Sequence, residues 1–207
     1  MKIPNFLNRY TTLPFLLDLL KTGRLELRRP ESWEDENDAH YLERYQEVKK
    51  LKTLRALCFT AGRERFHHWK CFADGSGGVC IEFRRSALIS TIRHDGRFRF
   101  GSVQYERIDR VATTRPPVDK WPFLKRLPFE DEKEFRVIFE ESSSDDADAV
   151  IDVEKAAIRK VTLSPWLPKN VEKSVKEVIR SMEGCEELDV SRSSLLQSAK
   201  WRKAIAH

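Results

Sequence analysis

Glu130-Asp131-Glu132-Lys133-Glu134-Phe135-Arg136-Val137-Ile138-Phe139 is the stretch on which the fold turns. Phe135, Val137 and Phe139 alternate with Glu134, Arg136 and Ile138, the period of a strand with one apolar face. Residues i, i+2 and i+4 of a strand share a face, so Glu132, Glu134 and Arg136 are expected in one row, about 6 to 7 Å apart, opposite the aromatic face. Such a row is either a carboxylate pair set for chemistry or an exposed strand face held by cross-strand ion pairs worth roughly 0.2 to 1 kcal/mol each.

Working outward, Leu13, Leu16, Leu17 and Leu20 recur at helical spacing with Gly23 as the stop, and Leu25 and Leu27 alternate with charges as a short strand. Pro30 to Asp38 reads as an acidic turn, followed by a surface helix over Tyr41 to Leu54 with a thin apolar face. Leu54 to Thr60 and Gly77 to Phe83 read as strands flanking a short aromatic helix, Arg63 to Phe72. Phe98 to Tyr105 reads as one strand bulged at Gly101-Ser102. Beyond the central stretch come strands over Ala149 to Val153 and Ile158 to Leu163, a helix over Asn170 to Met182 capped by Asn170, and a last strand over Glu187 to Val190. Short connections, rarely helical, exclude a doubly wound parallel sheet. The expectation is an α+β fold on a mixed, mainly antiparallel sheet of roughly six to eight short strands with peripheral helices.

The chain has 207 residues, expected to form a single domain over 1–207. Hydrophobic residues at 40% exclude a wholly disordered chain. Leu13 to Leu20 is the longest apolar stretch and too short to cross a bilayer, so a soluble protein without membrane partners is expected. The polar residues Asn5, Asn8 and Arg9 argue against a secretory leader, and four cysteines without a CxxC pair fit a reducing cytoplasm. The net charge of +5 permits nucleic-acid contact. Arg84, Arg85, Arg97, Arg99, Arg107, Arg110 and Arg115 lie beside Phe98, Phe100 and Tyr105, a mixture that suits either a polynucleotide or a solvated sheet face.

Of the motifs that carry chemistry, GxGxxG, GxxxxGK[ST] and GxSxG are all absent. His67-His68 with Cys58, Cys71 and Cys80 lack the spacing of a zinc module, so no metal is expected. The glycines of Gly75-Ser76-Gly77-Gly78 either admit a ligand close to backbone or make a tight turn. Asp131-Glu132-Lys133 also matches the acid-x-Lys ending of a metal-dependent nuclease core.

Arg9-Tyr10-Thr11, Gly23-Arg24-Leu25, Pro30 to Asp35, Cys58-Phe59-Thr60, Trp69 to Phe83 and Glu132 to Arg136 together resemble the bacterial domain-of-unknown-function family 2971, over nearly the whole chain. Glu34-Asp35-Glu36 stands where that family has Asn-Asp-Pro, and Phe72 where it has Tyr. More loosely, a basic residue on the first strand, a Thr-ending middle strand and a late Glu-x-Glu are similar to the ADP-ribosyltransferases. That second resemblance implies NAD as substrate, with Arg9 holding it, Thr60 supporting the ribose site, Glu134 stabilising the ribosyl cation and Glu132 orienting the acceptor. Tyr10 and Trp69 are aromatic candidates to stack on the nicotinamide, and Arg136 is a further candidate site residue. The activity implied is NAD-using ADP-ribosyl transfer or NAD hydrolysis, in a bacterial toxin or phage-defence effector, with a protein, nucleic acid, small molecule or water as acceptor. The rival expectations are a nucleic-acid-binding or metal-dependent nuclease component of a defence system, and a non-catalytic module in which Glu-x-Glu-x-Arg pins the sheet. The sequence does not specify an oligomeric state.

Overall fold

The computed structural model describes residues 4–73 and 75–205, so Lys2 and Asp74 lie outside the described residues. In chain order the elements are β1 (Phe6–Thr12), α1 (Leu13–Thr22), β2 (Arg24–Glu26), α2 (Glu36–Lys49), β3 (Thr53–Thr60), α3 (Phe66–Phe72), β4 (Gly78–Arg84), α4 (Arg85–Ile92), β5 (Phe98–Ser102), β6 (Gln104–Glu106), α5 (Ile108–Thr114), β7 (Leu124–Arg126), β8 (Glu134–Glu141), β9 (Val150–Asp152), β10 (Ile158–Leu163), α6 (Lys169–Arg180), β11 (Asp189–Arg192) and α7 (Ala199–Ala204). The main sheet has seven strands in the order β11-β10-β4-β1-β3-β8-β5. All its pairs are antiparallel except β10 with β11, so the mixed, mainly antiparallel α+β architecture is as expected. Two-stranded sheets, β2 with β9 and β6 with β7, lie beside it.

The sheet is covered on both faces. On one, Leu7, Phe59, Ile81, Phe83, Phe135 and Phe139 pack with Leu16, Leu19 and Leu20 of α1 and with Leu88 and Ile92 of α4. On the other, Leu42 and Tyr45 of α2 close over Leu54, Ala56 and Ile138, and Trp69 of α3 closes over Tyr10 and Cys80. Double coverage overturns the expectation of an exposed polar face on β8, because its first six residues are all buried. The inner face of α2 is thin in apolar residues, but Tyr45 is fully buried and its hydroxyl donates to Glu140 at 2.7 Å.

Several boundaries moved for local reasons. The α2 helix starts at Glu36, inside the expected acidic turn, because the Asp35 carboxylate accepts from the N–H groups of Asn37 and Asp38. Pro168, not Asn170, occupies the N-cap of α6. Phe98 to Tyr105 is not one bulged strand: Val103 makes the last bond to β8, its N–H donating to the Glu134 carbonyl, and beyond it β6 pairs in parallel with β7. As expected, Gly23 closes α1 at φ +70°, with its N–H on the Leu19 carbonyl. Gly78 serves close packing, since a Cβ there would lie 2.8 Å from that of Ala73.

Candidate functional site

Lys133 at φ +48° breaks the extended run, so Glu132 ends the turn Leu127–Glu132 and does not extend the row on β8. Glu134 and Arg136 do share a face, and that face is buried. Arg136 is fully enclosed; its Nε and Nη2 donate to the two oxygens of Glu134 at 2.6 and 3.0 Å. Its Nη1 and Nη2 also reach Asp38 of α2 at 2.9 and 2.6 Å, and Nη1 reaches the Pro122 carbonyl at 2.9 Å. The Trp33 ring lies 5.0 Å from the guanidinium carbon. Lys125 of β7 completes the cluster: its Nζ lies 2.7 Å from Glu132, 3.6 Å from Glu134 and 3.6 Å from Asp38.

The cluster therefore holds three carboxylates against two cations. Burial works against the charge on Glu134, but Arg136 and then Lys125 outweigh it and hold that carboxyl below its usual range. Burial prevails at Asp38 and Glu132, whose carboxyls are pushed up despite Arg136 and Lys125 respectively. The crowding of like charges thus falls on Asp38 and Glu132, which take up a proton more readily than free carboxyls, while Glu134 favours its ionised form. Asp38 and Lys125 escaped the sequence reading. Asp38 lay within a presumed turn, while Lys125 sits in a three-residue strand between Pro122 and Pro128 that carries no pattern of its own.

The other candidates lie where the sheet parts. The pairs β1 with β4 and β3 with β8 share seven and eight register positions, whereas β1 and β3 share only Asn8 opposite Thr60. Thr60 is in turn opposite Glu134, so Asn8, Thr60 and Glu134 stand side by side on three adjacent strands. The Thr60 hydroxyl donates to the Glu132 carbonyl at 2.5 Å and accepts from the Gly62 N–H at 3.0 Å, tying both turns to the sheet end. Arg9 follows the single bridge. Its guanidinium donates to the Cys58 carbonyl at 3.3 Å and has no carboxylate partner among the described residues. Burial, reinforced by nearby Arg28 and opposed by Cys58, lowers its pKa to about 10. Tyr10 packs edge-on against Trp69, with ring centroids 5.1 Å apart. Trp69 is fully buried, its Nε1 donating to Glu64 at 2.8 Å, so it forms a wall behind Tyr10 and shows no free face.

A cavity of about 430 Å³ reaches the ion cluster at Asp38 and Lys125, with Tyr41, Glu106, Val111 and Leu124 among its walls. Glu134, Glu132 and Arg9 do not line it. Four of the seven arginines of the basic middle third pair with carboxylates. Arg97 pairs with Asp95 and Glu141, Arg99 with Glu140, Arg107 with Asp109 and Arg110 with Glu106. Phe98 and Phe100 face Phe139 and Phe135 of the core, and the Tyr105 hydroxyl accepts from the Glu134 N–H. In the acid-x-Lys stretch, Asp131 turns out to Arg65 while Glu132 turns in to Lys125. No group of three or more His, Cys, Asp or Glu suited to a metal ion occurs among the described residues. No helix among them is long and apolar enough to cross a membrane.

No family model matches the chain, so the resemblance to family 2971 remains one of motifs. No curated protein matches it. Among solved structures it is similar to Thermus sp. 2.9 DarT in complex with NAD+, at 9% identity over 93% of this chain and 96% of that one, with a TM-score of 0.45. The same protein in complex with ADP-ribosylated ssDNA gives 11% identity over 92% and 94%, with a TM-score of 0.47. A likeness of this strength assigns no role to any residue.

Proposed function

We propose that the protein uses NAD as substrate, as an ADP-ribosyltransferase or an NAD glycohydrolase. The observation that carries this is the register at the parting of the sheet. Three sequence motifs far apart in the chain place Asn8 and Arg9, Thr60 and Glu134 on three adjacent strands. The Arg9 guanidinium, without a carboxylate partner among the described residues, lies next to that bridge, and the carboxylate cluster lies at the Glu134 end of the same three-strand row. The first suits a pyrophosphate and the second a ribosyl cation.

In this mechanism Arg9 holds the pyrophosphate, and Thr60 sets the turns that border the ribose. Tyr10, backed by Trp69, walls in the nicotinamide. The bond from the anomeric carbon to the nicotinamide nitrogen breaks, its electron pair leaving with neutral nicotinamide. Glu134, kept ionised by Arg136, stabilises the cation left on the ribose. An acceptor oxygen or nitrogen, or water, then bonds to the anomeric carbon and gives up its proton to Glu132. A toxin or phage-defence effector is the setting we infer for such a reaction.

Calorimetric titration with NAD tests the binding half of the proposal. Wild type is expected to bind and Arg9→Gln to bind at least about tenfold more weakly, the loss of one charge-assisted contact. Equal affinity in the two proteins would remove Arg9 from the site.

A second reading has its own observation. Both oxygens of Glu134 are engaged by Arg136, and Trp69 is sealed in the core, so the same residues serve as a structural ion network. Under that reading Glu134→Gln lowers stability and no NAD chemistry exists to lose.

A further inference from the structure

Among the described residues, Lys125 is the one cation within ion-pair distance of all three carboxylates of the cluster, and the only one that reaches Glu132. It does so from a strand of three residues, with its side chain only 9% exposed and its Nζ 4.8 Å from the Phe129 ring centre. It also lines the 430 Å³ cavity, so the cluster meets solvent-accessible space at this side chain and at Asp38. We propose that Lys125 is a positioning residue of the NAD site, holding Glu132 beside Glu134 and setting the charge on both. The kinetic part of this inference rests on the NAD-using reading; the electrostatic part does not.

The physical case is one of like charges. Glu132 from the turn, Glu134 from β8 and Asp38 from α2 converge on one small volume, faced by Arg136 from β8, the Cys58 thiol from β3 and the Tyr105 hydroxyl from β6. Arg136 serves Asp38 and Glu134 only. Without Lys125, Glu132 keeps no cation within 4.0 Å among the described residues, so it must take up a proton or swing out toward solvent. Either change costs the reaction its acceptor-side carboxylate and weakens the negative field at Glu134. A cation 2.7 to 3.6 Å away favours the charged form of a carboxyl, so its removal moves the carboxyl pKa up.

The test compares wild type, Lys125→Met and Lys125→Arg. In NAD consumption Lys125→Met is expected to lower kcat by about 100-fold with KM for NAD changed less than about twofold. Its acid limb of kcat should move up by about one to three pH units, and Lys125→Arg should restore most of the activity and the original limb. An unmoved acid limb in a folded Lys125→Met would overturn the proposal even with NAD turnover established. Carboxyl-carbon NMR of Glu132 supplies the arm that needs no activity: its midpoint should be higher in Lys125→Met than in wild type. In wild type alone, whether or not the variant folds, the Lys125 Nζ resonance should shift in step with Glu132. Independent titration of the two would sink the inference. Absence of NAD turnover in wild type, with co-titration intact, would sink the NAD reading and leave the electrostatic role standing.

Discussion

Arg136 and Asp38 are 98 positions apart and meet as a buried two-pronged pair, Nη1 to Oδ1 at 2.9 Å and Nη2 to Oδ2 at 2.6 Å. The pair ties α2 to β8 and so fixes the helix that covers the Glu134 face of the sheet. Removing one partner leaves a buried charge without its counter-charge, which is far more costly than never having built the pair.

Asp38→Ala and Arg136→Met are therefore each expected to lower unfolding free energy by about 3 to 5 kcal/mol. The double variant should cost less than the two losses added, by a coupling of about 1 to 3 kcal/mol. Urea unfolding of the four proteins measures it. Simple additivity would mean that the pair seen between α2 and β8 does not couple them.

His68 predicts a pH dependence. Its side chain is fully buried, and neither ring nitrogen has a hydrogen-bond partner among the described residues. Burial first, with His67 adding to it, lowers its pKa from 6.5 to about 4. The folded state therefore refuses a proton that the unfolded chain accepts. Stability should fall as pH drops from about 6.5 to about 4 and level off below that, as far as this group is concerned. Replacing His68 with Phe, which removes the proton site and the unpaired nitrogens, should flatten melting temperature against pH in that window. A wild-type slope that survives in His68→Phe would assign the acid sensitivity elsewhere.

Gly78→Ala tests a packing role for the glycine-rich turn. The added methyl would sit 2.8 Å from the Ala73 Cβ, closer than two carbons tolerate, so a loss of about 1 to 3 kcal/mol is expected. Adding Ala73→Gly should recover part of it. An undisturbed melting temperature in the single variant would show that the turn has room to move.

The β8 strand was legible because Phe135, Val137 and Phe139 repeat at period two, whatever covers the other side. What covers the other side was not legible. Leu42 and Tyr45 are the apolar residues that do so from the charged helix α2, and the Asp35 cap that starts that helix reads as a turn when its neighbours are Glu34, Glu36 and Asp38. Arg9, Thr60, Glu134 and Arg136 stand out in the sequence through their motifs, and register accounts for how three of their strands adjoin. Lys125 and Asp38 had no local pattern, since a side chain that matters only through long-range ion pairs leaves no periodic trace. Glu132 was misplaced because one residue, Lys133, takes a left-handed conformation that alternation does not reveal.

NAD consumption by purified wild type and Glu134→Gln, with and without added DNA, RNA and cell lysate, is the measurement that bears most directly on the proposed activity. Because Glu134 sits in a buried ion pair, thermal melts of both proteins belong to the same experiment, with a stability loss of about 3 kcal/mol expected in the variant. The account predicts that wild type releases nicotinamide and that Glu134→Gln, still folded at the assay temperature, does so at least about 100-fold more slowly. Equal turnover by the folded variant, or no turnover by wild type under any of these conditions, would contradict it and leave Glu134 and Arg136 as an ion pair that holds the sheet.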